Sequence, residues 1–127
     1  MPHAVVRLEP ERPYTPWRML AAIDLHACRR AALADPENVR AFVRALVGAL
    51  GLTARGPLRL ERFADAELEG WSAMQLVEKG AITVQVGKVG ALRFADVFAV
   101  RPFDGTVAAV VAGEHFGGTP SVRVLRR

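Results

Sequence analysis

The strongest constraint on the fold is one stretch of the chain that has the pattern of a β-hairpin. Two apolar runs, 71–78 and 81–87, flank the short segment Glu78-Lys79-Gly80. Apolar runs of this length on either side of a tight turn are typical of two antiparallel strands. Because glycine takes positive φ without steric cost, we expect Gly80 to supply that conformation at the turn. The stretch therefore predicts two neighbouring strands of a sheet.

Other segments have the patterns of further strands and of two helices. The predicted strands are 19–27, 58–63, 92–100 and 121–125. A helix is predicted to start at 35–37, where an aspartate cap, a proline and a glutamate follow one another, and to end at Gly51 as C-cap. Asp104 caps a second predicted helix that reaches Phe116. Three valines of this helix are expected to point inward: Val107, Val110 and Val111.

The order of these segments, β-α-β-β-β-β-α-β, predicts an α+β fold. Strands paired mainly antiparallel, with two helices on one face, make a two-layer sandwich. The other face of the sheet then needs cover, and a partner subunit is the simplest one, so we expect a homodimer. Residues 18–127 are expected to form a single domain. Residues 1–17 are expected to be a proline-rich extension, with Pro2, Pro10, Pro13 and Pro16.

Composition limits the class of protein. Of the 127 residues, 51% are hydrophobic, which is enough for a core without metal ions or disulfide bonds. No apolar run has the roughly 18–20 residues of a membrane span, and the N-terminus lacks the pattern of a secretory signal. The single cysteine, Cys28, fits a reducing compartment, so we expect a cytoplasmic protein. The net charge of +4 raises nucleic acid as a partner, but the basic residues are scattered and we do not expect it.

Four short motifs resemble those of a known family. They occur in this order: Asp24-Leu25-His26-Ala27-Cys28, Leu60-Glu61-Arg62-Phe63, Gly70-Trp71-Ser72-Ala73 and Asp96-Val97-Phe98. In order and spacing they resemble the bacterial S-adenosylmethionine decarboxylases, over about residues 18–127. The resemblance implies the two-layer sandwich of that family. It also implies the family's chemistry, in which a serine of the chain becomes a pyruvoyl cofactor that acts as an electron sink.

The reactive positions of that family are replaced in this chain. The positions of the self-processing serine, the histidine after it, the processing histidine, the product-protonating cysteine and the ribose-binding glutamate are here Gly80, Ala81, Gln85, Val100 and Val89. Glycine has no side-chain nucleophile, and residues 73–120 contain no serine that replaces it. We therefore expect a divergent member with no pyruvoyl cofactor, and the catalytic residues stay unassigned.

Five residues are candidates for binding a ligand. The resemblance makes Phe63 the aromatic that stacks on adenine and Ser72 a serine that assists processing. Their alternative roles are core packing for Phe63 and an ordinary strand hydroxyl for Ser72. Glu78, Lys79 and Gln85 surround the predicted hairpin, where they either line a polar pocket or are exposed charged and polar groups of the turn and the edge.

One further row suggests a metal site or Cys–His chemistry. Asp24, His26 and Cys28 alternate, and in a regular strand they point to one face. His3 and His115 are remote in sequence and no second cluster supplies ligands. We therefore expect no metal and interpret the row as the end of a strand.

Three functions remain open at this point. The one we favour is a non-pyruvoyl relative that binds a small molecule, S-adenosylmethionine or a polyamine-related compound, in an accessory or regulatory role. A heteromer with an active paralogue is one form of that role. The second is an enzyme that uses the same cleft for different, cofactor-free chemistry. The third is a structural interaction module with a vestigial cleft.

Overall fold

The sheet of this protein is antiparallel throughout. A computed structural model describes residues 18–63, 69–87 and 93–126. Within these residues the strands are β1 (Met19–Asp24), β2 (Ala54–Phe63), β3 (Gly70–Val77), β4 (Gly80–Gly87), β5 (Arg93–Ala99) and β6 (Ser121–Arg126). They form one sheet in the order β2-β3-β4-β5-β1-β6. The predicted strands are present and the predicted α+β class is confirmed, whereas the proline-rich extension over 1–17 lies outside the described residues.

The helices of the described residues are α1 (Arg30–Ala34), α2 (Pro36–Ala49) and α3 (Gly105–Phe116). Both predicted N-caps are confirmed: the Asp35 carboxylate accepts a hydrogen bond from the Glu37 amide, and that of Asp104 from the Thr106 amide, each at 2.9 Å. The C-cap of α2 is Leu50, one residue before the predicted Gly51. The short helix α1 was not predicted, since it buries only Leu33 and has no apolar periodicity. None of the helices in the described ranges is long and apolar enough to cross a membrane.

The core lies between the helices and one face of the sheet. Alternate residues of the central strands point into it, among them Ile23, Val84 and Val97, each fully buried. The rings of Phe42 in α2 and Phe116 in α3 meet edge to face with centroids 5.0 Å apart. Full burial of a side chain of this size contributes about 1.5–3 kcal/mol, so the inward faces of α2 and α3 hold the two layers together.

The inward stripe of α3 differs from the prediction. Val111 is buried as expected and Val107 is half-buried, but Val110 is 55% exposed. Ala108, Ala112 and Phe116 form the buried stripe instead, at the i, i+4 spacing of one helical face. The prediction for Val110 was wrong because α3 is apolar on almost every side, so hydrophobicity alone does not identify its inner face.

The hairpin turn also differs from the prediction. Lys79 takes the left-handed conformation, with φ of 58°, and Gly80 is the first residue of β4. Gly80 lies opposite Val77 on one side and Ala99 on the other. A Cβ on Gly80 would lie 2.0 Å from the Phe98 carbonyl oxygen. Glycine is therefore required at this position for the close approach of β5 and not for the turn itself.

Two predicted strands have different ends in the structure. β1 ends at Asp24 and not at residue 27, because Ala27 has a positive φ of 55°. β2 begins at residue 54, before the predicted 58, with an irregularity around Gly56. Gln75, the buried polar residue found in the described part of the chain, holds this irregularity. Its Nε2 donates to the carbonyls of Leu76 at 2.8 Å and of Gly56 at 3.1 Å.

The second face of the sheet, here called the open face, has no covering layer among the described residues. Four of its large apolar side chains are exposed: Met74, Leu76, Phe98 and Leu125. The strand register joins three of them into one line across the sheet, here called the apolar row, which consists of Leu76, Ala81, Phe98, Leu20 and Leu125. The next line of the same face mixes polar and apolar residues: Met74, Thr83, Asp96, Ala22 and Arg123.

Candidate functional site

A groove of about 300 Å³ lies on the open face over β2, β3 and β4. This open-face groove is lined by Arg59, Glu61, Ser72, Ala73, Met74, Thr83 and Gln85. The register explains why these side chains meet: Glu61 is opposite Ser72, which is opposite Gln85, and Arg59, Met74 and Thr83 form the next line. Residues that alternate along a strand share one face, so the groove takes alternate residues from each strand.

Two of the candidate residues form the polar centre of this groove. The Ser72 hydroxyl donates a hydrogen bond of 2.8 Å to the Gln85 carbonyl oxygen Oε1. This arrangement leaves the Gln85 amide nitrogen free to donate to a ligand. An amide does not titrate near neutral pH, unlike the histidine that the family resemblance places here, so Gln85 can form hydrogen bonds but cannot transfer protons as a histidine does.

Two opposite charges border the groove on the edge strand β2. Arg59 and Glu61 are exposed and lie two residues apart on the same face. Neither has an ion pair with another residue of the described ranges. A ligand that carries both a cation and an anion can therefore be bound at its two ends by side chains that form no ion pair within the described ranges.

Phe63 lies on the same face as the groove but does not line it. It is opposite Gly70, and the tip of its ring lies 2.7 Å from the place where a Cβ of Gly70 would be. The ring therefore covers the β3 backbone at Gly70. This packing lies on the open face and is not the core packing that the sequence offered as the alternative, while a stacking role for Phe63 stays a prediction.

Glu78 and Lys79 belong to a different cavity. They line a pocket of about 310 Å³ together with Leu52, Thr53, Val100 and Arg101, here called the hairpin-end pocket. Gln85 lies five residues further along β4 than Gly80, which is about 16 Å in an extended strand. The candidate ligand residues are thus divided between two cavities at opposite ends of the β3–β4 hairpin.

Three of the replaced reactive positions, Gly80, Ala81 and Val100, lie at the hairpin end of the sheet, whereas Gln85 lies in the open-face groove. Gly80 packs against the β5 backbone, and Ala81 belongs to the apolar row. The Val100 amide donates to the Lys79 carbonyl at 3.0 Å, which ties β5 to the hairpin turn. None of the side chains of Gly80, Ala81 and Val100 carries a group that titrates or attacks a carbonyl. Val89 lies outside the described residues.

The row of Asp24, His26 and Cys28 does not form a shared site. His26 follows the end of β1, and its Nε2 lies 3.3 Å from the Ser121 hydroxyl. Burial raises the pKa of the Cys28 thiol, and the charges of Arg93 and Arg29 only partly oppose that rise. A thiol that stays protonated is a weak nucleophile. No group of three or more metal-ligating side chains lies together within the residues that the structure describes.

Sequence reasoning missed three residues that the fold brings to these regions. Arg101 and Thr53 join the hairpin-end pocket from distant parts of the chain, and no local motif marks them. On the open face, burial and the nearby Asp24 carboxylate raise the pKa of Asp96. Only the pairing of β1 with β5 places these two carboxylates near each other.

A comparison with protein families matches most of the chain. The sequence model of a family described as S-adenosylmethionine decarboxylase matches residues 19–127. No curated protein sequence matches the chain. The matched range begins at β1 and includes every strand and helix described above.

Proposed function

The chain belongs to the S-adenosylmethionine decarboxylase family, and we propose that it is a member that forms no pyruvoyl group and acts by binding a small molecule. The observation that carries the proposal is the environment of Gly80. The position has no nucleophile, and the Phe98 carbonyl oxygen occupies the space that a Cβ would need. Gln85 and Val100 replace the family's other titratable groups with an amide and an alkyl chain.

The open-face groove is the proposed binding site. Its centre offers the Ser72–Gln85 pair for polar contacts, and Arg59 and Glu61 offer one charge of each sign. S-adenosylmethionine carries a carboxylate, an ammonium and a sulfonium, and polyamine-related compounds carry ammonium groups. Both therefore present cations to Glu61, and the carboxylate of S-adenosylmethionine also complements Arg59. A site whose polar centre is a hydroxyl and an amide, with no histidine or cysteine among the described residues of its lining, fits an accessory or regulatory role.

Intact mass and calorimetric titration test this proposal together. We expect a single uncleaved chain of 13.8 kDa and saturable binding of S-adenosylmethionine or its decarboxylated form. Gln85→Leu keeps the volume but removes the amide, so it should weaken binding. Glu114→Gln, an exposed change on α3, is the control and should leave binding unchanged. Two fragments that part near Gly80 would overturn the proposal.

The titration also separates the alternative functions. Turnover of S-adenosylmethionine by the uncleaved chain would favour an enzyme that uses side chains alone. The absence of binding to any nucleoside or polyamine would favour a structural interaction module. If Phe63→Ala lowers affinity while the melting temperature stays unchanged, Phe63 contacts the ligand and does more than cover Gly70.

A second copy of the chain is our proposal for the cover of the open face. Six strands spaced about 4.8 Å apart and six residues long give a face of about 29 by 20 Å. Two copies that covered all of it would bury on the order of 1,200 Å² and would enclose the open-face groove between them. That area reaches the lower end of stable interfaces. The apolar row, which crosses the face near the hairpin end of the strands, supplies apolar area to such an interface, and polar residues of the other lines supply hydrogen-bonding groups.

Sedimentation velocity tests the dimer with a matched control. Leu76→Lys combined with Phe98→Lys places two charges in the apolar row and should give a monomer. Val110→Lys changes an equally exposed apolar residue on α3 and should leave the dimer intact. A monomeric native chain would refute the homodimer, and a complex that forms only with a co-expressed active paralogue would favour the heteromer. We place this assembly in the cytoplasm, where the thiol of Cys28 stays reduced.

A further inference from the structure

The hairpin-end pocket has walls that backbone hydrogen bonds hold in place. The Glu78 amide donates to the Thr53 carbonyl at 2.8 Å, which joins the turn to the segment between α2 and β2. The Val100 amide donates to the Lys79 carbonyl at 3.0 Å, which joins the turn to the end of β5. Three chain segments that are remote in sequence therefore form one pocket. This pocket is already ordered before a ligand binds.

The hairpin-end pocket has an excess of positive charge. Glu78 already has a partner, since its Oε2 lies 3.5 Å from Nη2 of Arg55. Lys79 and Arg101 line the same pocket, and neither forms an ion pair within the ranges that the structure describes. Arg101 Nη2 lies 4.0 Å from the Cβ position of Gly51, just past the end of α2, so it also faces the negative end of that helix.

The backbone of Lys79 is a second observation that points to its side chain. Lys79 has a φ of 58°, a conformation that glycine adopts without cost and lysine does not. The next residue is a glycine, yet it has no positive φ. A strained conformation at a position whose side chain makes no ion pair in the described part of the chain suggests a use for that side chain outside the fold.

From these observations we infer that the hairpin-end pocket binds a small anion between Lys79 and Arg101, as a carboxylate or a phosphate group. The Thr53 hydroxyl can donate a hydrogen bond to it, and Leu52 and Val100 offer an apolar wall for a short carbon chain. This site is separate from the open-face groove and does not depend on it. Both cations are exposed, so salt screens their attraction and we expect an affinity in the millimolar range.

A nuclear magnetic resonance titration of the full chain tests this inference. Amide spectra are recorded at constant ionic strength with inorganic phosphate in one series, acetate in a second and chloride as the reference. We expect saturable shifts at residues 52–53, 78–79 and 100–101 for one or both anions. Saturation by phosphate alone indicates a phosphorylated ligand, and saturation by acetate as well indicates a carboxylate.

Two variants separate binding from folding. Lys79→Gly removes the charge, and glycine adopts the positive φ without strain. The melting temperature of this variant should therefore be no lower than that of the native chain, while its saturable shifts disappear. Arg101→Gln should weaken binding about tenfold, and Arg44→Gln, an exposed change on α2, should not alter it. The inference is wrong if Lys79→Gly binds as the native chain does, or if the shifts spread over surface arginines without saturating.

Discussion

Restoring the family's nucleophile by Gly80→Ser is the sharpest test of how this chain lost its reaction. A Cβ at this position would lie 2.0 Å from the Phe98 carbonyl oxygen and 2.9 Å from the Ala99 Cα. Both neighbours are backbone atoms of β5, so no change of rotamer relieves the contact. The β4–β5 pair must separate locally, and we expect a folded but weakened protein that does not cleave itself.

Two costs determine how much Gly80→Ser lowers the free energy of unfolding. Overpacking costs about 1–3 kcal/mol, and each backbone hydrogen bond that opens costs about 1 kcal/mol net. A total of about 3 kcal/mol corresponds to a fall in melting temperature of about 10 °C for a domain of this size. Urea unfolding and scanning calorimetry measure the stability, and intact mass detects cleavage.

Gly48→Ser is the matched control for Gly80→Ser. Gly48 lies in α2 with nothing within 4 Å of the Cβ position. Serine is the better helix former by about 0.5 kcal/mol, so this variant should be as stable as the native chain or slightly more stable. The reasoning is refuted if Gly80→Ser unfolds at the same urea concentration as Gly48→Ser, or if Gly80→Ser splits into two fragments.

Three further predictions concern other parts of the fold. Gln75→Leu should lower the free energy of unfolding by about 1–2 kcal/mol in urea, because the carbonyls at the β2 irregularity lose a donor, and an unchanged urea midpoint would contradict this. Asp35→Ala should cost about 1 kcal/mol through loss of the α2 cap, whereas Asp35→Asn should cost less. Burial, and to a smaller extent the charge of Asp24, raises the pKa of Asp96 in the folded state. The ionised Asp96 therefore lowers the free energy of unfolding above that pKa, and this loss of stability disappears as the pH falls through it. Asp96→Asn should therefore stabilise the protein at neutral pH, and this gain should vanish in acid, whereas an equal gain at both pH values would contradict the cause.

The sequence identified the elements of the fold better than their boundaries. The caps at Asp35 and Asp104 are local signals, because each carboxylate bonds an amide two residues away. The end of β1 depends on the positive φ of Ala27, and an alanine at this position does not predict that conformation. The exposed side of α3 was missed for a related reason. Its small residues pack as well as its valines, so only the tertiary contacts decide which side is buried.

The candidate site was only partly accessible to sequence reasoning. Ser72 and Gln85 lie 13 residues apart, and the hairpin register that brings them together follows from the turn. Arg101 and Thr53 meet Lys79 only because the end of β5 returns to the turn and β2 starts beside it. The reason for Gly80 was also hidden. Its neighbour is the backbone of a strand almost 20 residues later, and a sequence pattern carries no information on such a contact.

The position of β1 in the sheet has a consequence for how the chain folds. β1 is the first strand of the described residues, yet its two neighbours are β5 and β6, with Met19 opposite Ala99 and Arg126. The ribosome adds the partners of Met19, in β5 and β6, 80 and 107 residues later. Both edges of this apolar strand therefore stay unpaired until those residues have been synthesised. Contacts between such distant residues slow folding, so the rate-limiting step should be the closure of β1 between β5 and β6. A circular permutant that joins the native ends and begins at the β3–β4 turn would place β5, β6 and β1 in one continuous stretch, and it should fold faster than the native chain.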